Sequence, residues 1–340
     1  MIRIVVDCFG GDKSPSANVE GSVIALGRHD DLSLILTGDE TLIREELKRL
    51  GTKESERLTV VHAPEVIGCN EKPTDAIRLK RESSMMRAIR ILREDDTVSG
   101  LVSTGSTGAL VSASVVMIGR LKGVYRPAFC PILPTLNGGI IGVCDSGANV
   151  DCKPEYLWQF AVMGGKYLEC VYGIKSPRIA LLNVGTEEEK GDMLRKEAYK
   201  LLSETDGINF VGNMEGRELL SGRYDLAVCD GFSGNVLVKT TEGTALELLK
   251  RLKKDIYSKA KYKFGALFMK KMFEDEKELM NYQNYGGSVM IGLSKTVVKG
   301  HGSSNATAVS VCIDQAYRTE QGRLGEKIEN ALGLLPEEKI

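Results

Sequence analysis

Short apolar runs rich in β-branched residues alternate with stretches of helical period along most of the chain. The runs are Ile2 to Asp7, Leu32 to Thr37, Leu58 to His62, Val98 to Ser103, Ile140 to Asp145, Ile179 to Asn183 and Leu226 to Asp230. Between them the periodicity predicts helices over Ala17 to Arg28, Thr41 to Leu50, Asp75 to Arg93, Ala109 to Arg120, Glu155 to Tyr172 and Met193 to Ser203, with a final one over Ala306 to Leu332. Strands that are apolar along their whole length are covered on both faces, so the pattern predicts an α/β fold with a largely parallel sheet between helical layers. In such sheets ligands bind where strand C-termini open into loops, and these ends carry Asp7, Ser103, Asp145, Asn183 and Asp230.

The segment Arg251 to Met280 breaks the alternation. Lys253, Lys254, Lys259, Lys261, Lys263, Lys270 and Lys271 interleave with aromatic and aliphatic residues, and Gly265 sits near the middle. This predicts a helical hairpin whose tip shows Phe264, Leu267 and Phe268 between lysines. Such a surface suits an anionic bilayer, an acidic protein, or a dimer interface with solvated lysines. The Pro-, Gly- and Asn-rich stretch Pro131 to Gly139 reads as a connection, and no soft linker separates two globules. The 340 residues therefore predict one large unit of two intimately joined lobes.

Charge narrows the function classes. With 45 basic and 46 acidic residues there is no global positive field to displace phosphate counterions, which argues against non-specific nucleic-acid binding. The eight cysteines, at positions 8, 69, 130, 144, 152, 170, 229 and 312, include no CxxC pair and lie in apolar runs. They predict reduced packing residues in a cytoplasmic protein rather than a disulfide or zinc framework, and no metal-ligand spacing is evident. Met1 leads directly into a strand-like run, predicting no signal peptide, and no apolar stretch is long enough to span a bilayer.

Five loops after strands hold glycine beside polar groups. Asp7-Cys8-Phe9-Gly10-Gly11-Asp12 has two carboxylates that would repel a pyrophosphate, which disfavours a nucleotide. Gly105, Ser106, Thr107 and Gly108 open a helix, so hydroxyls, N–H groups and the helix dipole can cradle an anion; the alternative is a capped turn. Asn149 and Lys153 precede Pro154 and can hold an acyl carbonyl or phosphate, or else Asp151 caps the helix and Lys153 is solvated. Asn183 begins a loop in which Glu187, Glu188 and Glu189 suit a helix start, whereas Lys190 suits a phosphate oxygen. Asp230 can orient a nucleophile or an acid, and Asn235 can donate to an oxyanion, unless this is only a strand-to-helix elbow. A sixth cluster, His301 with Ser303, Ser304 and Asn305, sets an imidazole beside hydroxyls at a helix start. Together these point to group transfer involving a tetrahedral oxyanion; no GxSxG or HExxH motif supports a hydrolase triad or metalloprotease.

In order along nearly the whole chain, DCFGGD (7–12), EKPTDAIRLKRESSM (71–85), STGSTGAL (103–110), DSGANVDCKPE (145–155), LLNVGTEEEKG (181–191), GNMEGRE (212–218), CDGFSGN (229–235), NYGGSVMIGL (284–293) and HGSSNA (301–306) resemble the PlsX family of acyl-(acyl-carrier-protein):phosphate acyltransferases. Cys8-Phe9, Ser106 and Ser146 depart mildly from its pattern. The resemblance implies a Rossmann-like α/β/α sandwich similar to phosphotransacetylases and isocitrate or isopropylmalate dehydrogenases, in a homodimer. It implies transfer of a long-chain acyl group from acyl carrier protein to inorganic phosphate, with acyl phosphate passed to a membrane glycerol-phosphate acyltransferase. No cofactor is implied, and the basic hairpin is associated with dimer and peripheral membrane contact at the inner face of the cell membrane. On this basis Lys190 is expected to be an electrostatic clamp, Asn235 an oxyanion donor, Asp230 an orienter and His301 a proton-bearing partner of phosphate or thiol. A phosphotransacetylase-type enzyme using acyl-CoA and a non-catalytic membrane-docking regulator are the alternatives.

Overall fold

A computed structural model of the chain describes residues 1–68, 70–279 and 282–333. Cys69 and Met280, both named above, lie outside the described residues. Eleven strands form one sheet: β1 (Ile2–Asp7), β2 (Leu32–Gly38), β3 (Leu58–His62), β4 (Val98–Ser103), β5 (Ala128–Pro134), β6 (Ile140–Cys144), β7 (Arg178–Asn183), β8 (Asn209–Glu215), β9 (Leu226–Val228), β10 (Ser288–Ile291) and β11 (Thr296–Lys299). Around it pack α1 (Ser16–Leu26), α2 (Glu40–Arg49), α3 (Pro73–Leu79), α4 (Ser84–Glu94), α5 (Thr107–Met117), α6 (Pro154–Tyr172), α7 (Met193–Ser203), α8 (Gly231–Ser258), α9 (Ala260–Phe268), α10 (Lys270–Leu279), α11 (Ala306–Gln321) and α12 (Leu324–Gly333).

The strand order is β3-β2-β1-β4-β11-β10-β5-β6-β9-β7-β8. The five strands from β3 to β11 are parallel, as are β6, β9, β7 and β8, but β10 runs antiparallel to both its neighbours and β5 pairs antiparallel with β6. The sheet is therefore mixed at its centre, where the sequence predicts a largely parallel one. The three successive reversals leave the two parallel groups running in opposite directions, with β10 and β5 between them. The stretch expected to be a connection contains the end of β5, whose Pro131 pairs with Ser288 and whose Ile132 pairs with Gly142.

Alternation along each strand divides the core. On one face Ile4, Val6, Leu34, Cys130, Phe160 and Leu181 belong to a single apolar cluster that runs beneath both halves of the sheet. On the other face the cluster around Val5, Leu101 and Phe129 is separate from that around Leu133, Val143 and Ala227. The two lobes thus share one core and part on the opposite side.

Two expected helices are each two. The first breaks at 80–83, where Ser83 caps α4 by accepting from the Met86 N–H at 3.4 Å. The last breaks at Arg323, which takes φ of 51°. The expected two-helix hairpin is three helices: α8 starts twenty residues earlier, at Gly231, and the breaks fall at Lys259 and Met269 while Gly265 lies inside α9. Among the described residues no helix is long and apolar enough to cross a membrane.

Candidate active site

Where the two lobes part, a cleft of about 290 Å³ opens above the centre of the sheet. Its apolar lining comes from Phe129, Pro131, Ile132, Leu133 and Val238; its polar groups come from Thr107, Ser146, Asn235, Lys239, Glu242, Ser288, Lys299 and His301. A larger hollow of about 440 Å³ lies at the N-terminal ends of β7 and β8. Its charged lining includes Lys166 and Glu169, paired with each other at 2.8 Å, and nothing there gathers donors as the central cleft does.

The near lobe builds its side of the cleft by stacking three loops. Gly10, at φ of 107°, lets the loop after β1 approach so closely that a Cβ there would lie 2.9 Å from the Gly105 Cα. The Asp12 N–H donates to the Gly302 carbonyl at 2.8 Å, tying that loop to the one carrying His301. Beneath them Asp7 is fully buried and accepts from the Ser103 hydroxyl at 2.7 Å and the Phe9 N–H at 3.2 Å. Burial pushes its carboxyl up to about 6 against the pull of Ser84, Ser103, the Phe9 N–H and Lys299.

The far lobe's loops lock to one another. Asp145 is buried and accepts from the N–H groups of Phe129 (2.9 Å) and Asn149 (2.6 Å), and burial raises its pKa against these donors. The Asn149 amide is held by Asp145 at 3.0 Å and by the Pro127 carbonyl at 2.8 Å, so it fixes the loop and does not reach into the cleft. The Gly231 N–H donates to the Asn149 carbonyl at 2.7 Å, seating the start of α8 on this loop. From that base Asn235, Val238, Lys239 and Glu242 follow at i, i+3, i+4 and i+7, one face of α8, and all four line the cleft.

His301 is the best-defined polar group. Its Nδ1 accepts the Ser303 N–H at 3.2 Å and lies 2.8 Å from the Ser303 hydroxyl, so the neutral ring carries its proton on Nε2. Partial desolvation, then Lys239 and Lys299, pull the imidazole below its usual pKa, while Asp12 opposes them. Both lysines therefore act on the same ring from opposite lobes.

The predicted residues divide accordingly. Thr107, Asn235 and His301 meet in the cleft. Lys190 is not among its lining residues: it is an exposed loop residue whose carbonyl accepts from Asn183 at 3.0 Å. Asn183 spends its amide there and on Asn213 at 3.1 Å, and so shapes the turn. Asp230 caps α8 by accepting from the Ser233 N–H at 2.8 Å and is ion-paired with Arg195, which leaves it an anchoring role. Glu187 to Glu189 do not start a helix; α7 begins later, capped by Asp192. Lys153 is an exposed N-cap position of α6 without a side-chain cap, and Asp151 does not take that place. Ser106 precedes α5 without capping it, next to Gly105 and Gly108, whose missing side chains admit Met85 and Pro73. Ser303 orients His301, Asn305 caps α11 by accepting from the Ala308 N–H at 2.9 Å, and Ser304 is buried behind them. Lys239 and Lys299 went unforeseen. The helical spacing from Asn235 marks the first, and the position just before Gly300-His301 marks the second.

A family model described as fatty acid synthesis protein matches residues 2–324. The phosphate acyltransferase of Clostridium acetobutylicum is 45% identical over 329 residues, covering 97% of this chain and 98% of its own. That of Bacillus subtilis is 44% identical over 315 residues, 93% of each chain. The chain belongs to this family, the PlsX phosphate acyltransferases. It is thus an acyltransferase, and the family's motifs map onto the loops that build both sides of the cleft. The fold is shared more widely. The EutD phosphotransacetylase from Staphylococcus aureus matches with a TM-score of 0.59 at 16% identity over 94% of both chains. A branched-chain phosphotransacylase from Enterococcus faecalis matches at 0.54 and 13% identity, over 94% of this chain and 100% of its own.

Proposed function

We propose that the chain transfers a long-chain fatty acyl group from acyl carrier protein to inorganic phosphate, giving acyl phosphate and free carrier for phospholipid synthesis. The observation that carries this reading is the convergence of Lys239, Lys299 and His301 on one partly apolar cleft. Two ammonium groups flanking a neutral Nε2–H donor suit a phosphate dianion, as point charges and a directed hydrogen bond. An oxygen of the hydrogen phosphate dianion attacks the thioester carbonyl, the carbon–oxygen bond forms, and the tetrahedral oxyanion collapses with cleavage of the carbon–sulfur bond, the leaving sulfur taking up the proton that phosphate gives up so that the carrier departs as its thiol. Asn235 and Thr107 supply donors for that oxyanion, and Phe129, Leu133 and Val238 take the start of the acyl chain. A thioester is already activated, so positioning and charge stabilisation suffice and no acyl-enzyme is needed.

The donor and acceptor are tested by incubating the protein with acyl-carrier-protein thioester and phosphate and trapping the product with hydroxylamine. Phosphate-dependent hydroxamate is expected, and its absence would refute the reading. The enzyme would work as a cytoplasmic homodimer, with α8 to α10 making dimer and peripheral membrane contact and delivering acyl phosphate to a membrane glycerol-phosphate acyltransferase. In support, this arm exposes Phe264, Leu267 and Phe268 among lysines.

A further inference from the structure

The chain is close to neutral overall, at net charge -1, yet its basic residues are not spread evenly. Between Glu71 and Arg93, the span of α3, its turn and most of α4, seven basic residues face three acidic ones. Those acids are already engaged: Glu71 pairs with Lys80 at 2.7 Å, Glu82 with Arg87 and Arg90 at 3.3 and 3.2 Å, and Asp75 with Arg78 at 3.8 Å. With Glu94, which closes α4, and Glu65, whose carboxylate accepts from the Glu82 N–H at 3.3 Å, counted as well, an excess of two positive charges remains on this surface. At its middle Leu79 is 71% exposed, between Arg78 and Arg81, which are exposed as well. An apolar centre rimmed by like charge is the anatomy of a docking face for a partner of opposite sign.

Its place in the fold gives it a use. Pro73, the first residue of α3, packs where a Cβ on Gly108 would be, 2.5 Å from the Pro73 Cγ, and the adjacent Thr107 lines the cleft. The Ser84 carbonyl at the start of α4 accepts from the Thr37 hydroxyl at 3.0 Å, so the patch stands over the C-terminal edge of the strands, beside the cleft mouth. The other lysine-rich surface is less well placed: Arg251 lies twelve residues past Lys239, about 18 Å along α8.

We propose that α3 and the turn after it, centred on Arg78, Leu79 and Arg81, form the docking face for the acidic surface of the acyl carrier protein, whose tethered thioester then enters the cleft past Thr107. This rests on the proposed carrier-dependent reaction and adds the surface that recognises the carrier. Charge on such a rim acts on encounter and affinity and leaves the chemical step alone.

The test compares the full-length protein with R78E/R81E, with R78Q/R81Q and with a charge-reversal control at a remote exposed site, Lys53→Glu. Thiol release is measured with acyl-carrier-protein thioester and with the same acyl group on N-acetylcysteamine, at saturating phosphate. R78E/R81E is expected to raise KM for the carrier thioester by about tenfold or more, equal to about 1.4 kcal/mol, with R78Q/R81Q in between. Turnover of the small thioester, KM for phosphate and the Lys53→Glu protein should stay within about twofold of wild type. An unchanged carrier KM in either double variant overturns the docking face, as does a parallel fall with the small thioester. So does a loss of anionic-vesicle binding with carrier KM intact, which would make the face a membrane contact. A wild-type protein inert toward the carrier thioester refutes the proposed function itself, whereas an active wild type with indifferent variants refutes only the docking face.

Discussion

Asp7 ends β1 with no access to water, and its carboxyl, pushed up to about 6, stays largely protonated in mildly acidic solution. Between its ordinary value of 3.8 and about 6 the folded chain binds more protons at this site than the unfolded chain, so the site's contribution falls as pH rises through that window. The swing is about 3 kcal/mol at 1.36 kcal/mol per pK unit. Asp7→Asn has no such swing. Urea denaturation of both proteins at pH 4 and pH 7 is expected to show the variant gaining on wild type by roughly that amount; equal pH dependence would mean that Asp7 is ionised in the fold. His301 is displaced in the other direction. Its imidazole is neutral at pH 7 because desolvation and two lysines disfavour the cation. Lys239→Gln removes one of those charges, so the His301 ring protons, followed by NMR, should titrate below 6.5 in wild type and at higher pH in the variant.

At the scale of elements, the start of α8 decides whether Asn235 and Lys239 point into the cleft. Gly231 and Gly234 allow this helix to lie against the Asp145 loop: a Cβ on Gly231 would come within 2.5 Å of the Asn149 carbonyl oxygen, and one on Gly234 would overlap the Asp145 carbonyl oxygen. Backbone cannot yield as a flexible side chain can. Gly234→Ala is therefore expected to cost about 1–3 kcal/mol or more of stability, and to lower turnover beyond what the stability loss explains, because the whole lining face of α8 is displaced. Thermal melts and phosphate-dependent thiol release measure the two effects; a variant with wild-type values for both would show that the contact relaxes freely. This elbow was visible in the sequence as glycine spacing after an apolar run. Several strands were not. β10 and β11 have four residues each, too few to show a period, prolines interrupt β5, and β8 has a mostly half-exposed edge-strand pattern. The four long apolar runs ending at Asp7, Thr37, Ser103 and Asn183 were legible because helices cover both their faces.

At the scale of the molecule, the site is where two lobes that share one core come apart, and that explains which of its residues the sequence disclosed. Glycine-rich loops announced Thr107, Asn235 and His301, whereas the two lysines lie in a helix and at a strand end, where a charge looks like ordinary solvated surface. Lys190 shows the converse: a lone lysine among acids on a strand-end loop has the right neighbours in sequence, but it is exposed and not among the residues that line the cleft. The first turns of α8 line the cleft, whereas the arm beyond them, the rest of α8 with α9 and α10, supplies none of its lining residues. Its root is fixed by the Asp230 cap and by the glycine contacts at the Asp145 loop. Its outer part carries Phe268, 80% exposed, stacked edge-on against Phe264 at 5.4 Å with lysines around them. If that end meets an anionic bilayer, replacing Phe264, Leu267 and Phe268 with serine removes buried apolar area at about 25 cal/mol per Å² without touching the cleft. The triple variant should lose co-sedimentation with anionic lipid vesicles by an order of magnitude or more, while its melting temperature and its turnover of a soluble thioester remain those of wild type. Retained vesicle binding together with a fall in sedimenting mass relative to wild type would instead assign the apolar end to contact between copies of this chain, and a fall in turnover of the soluble thioester would show that arm and cleft are coupled.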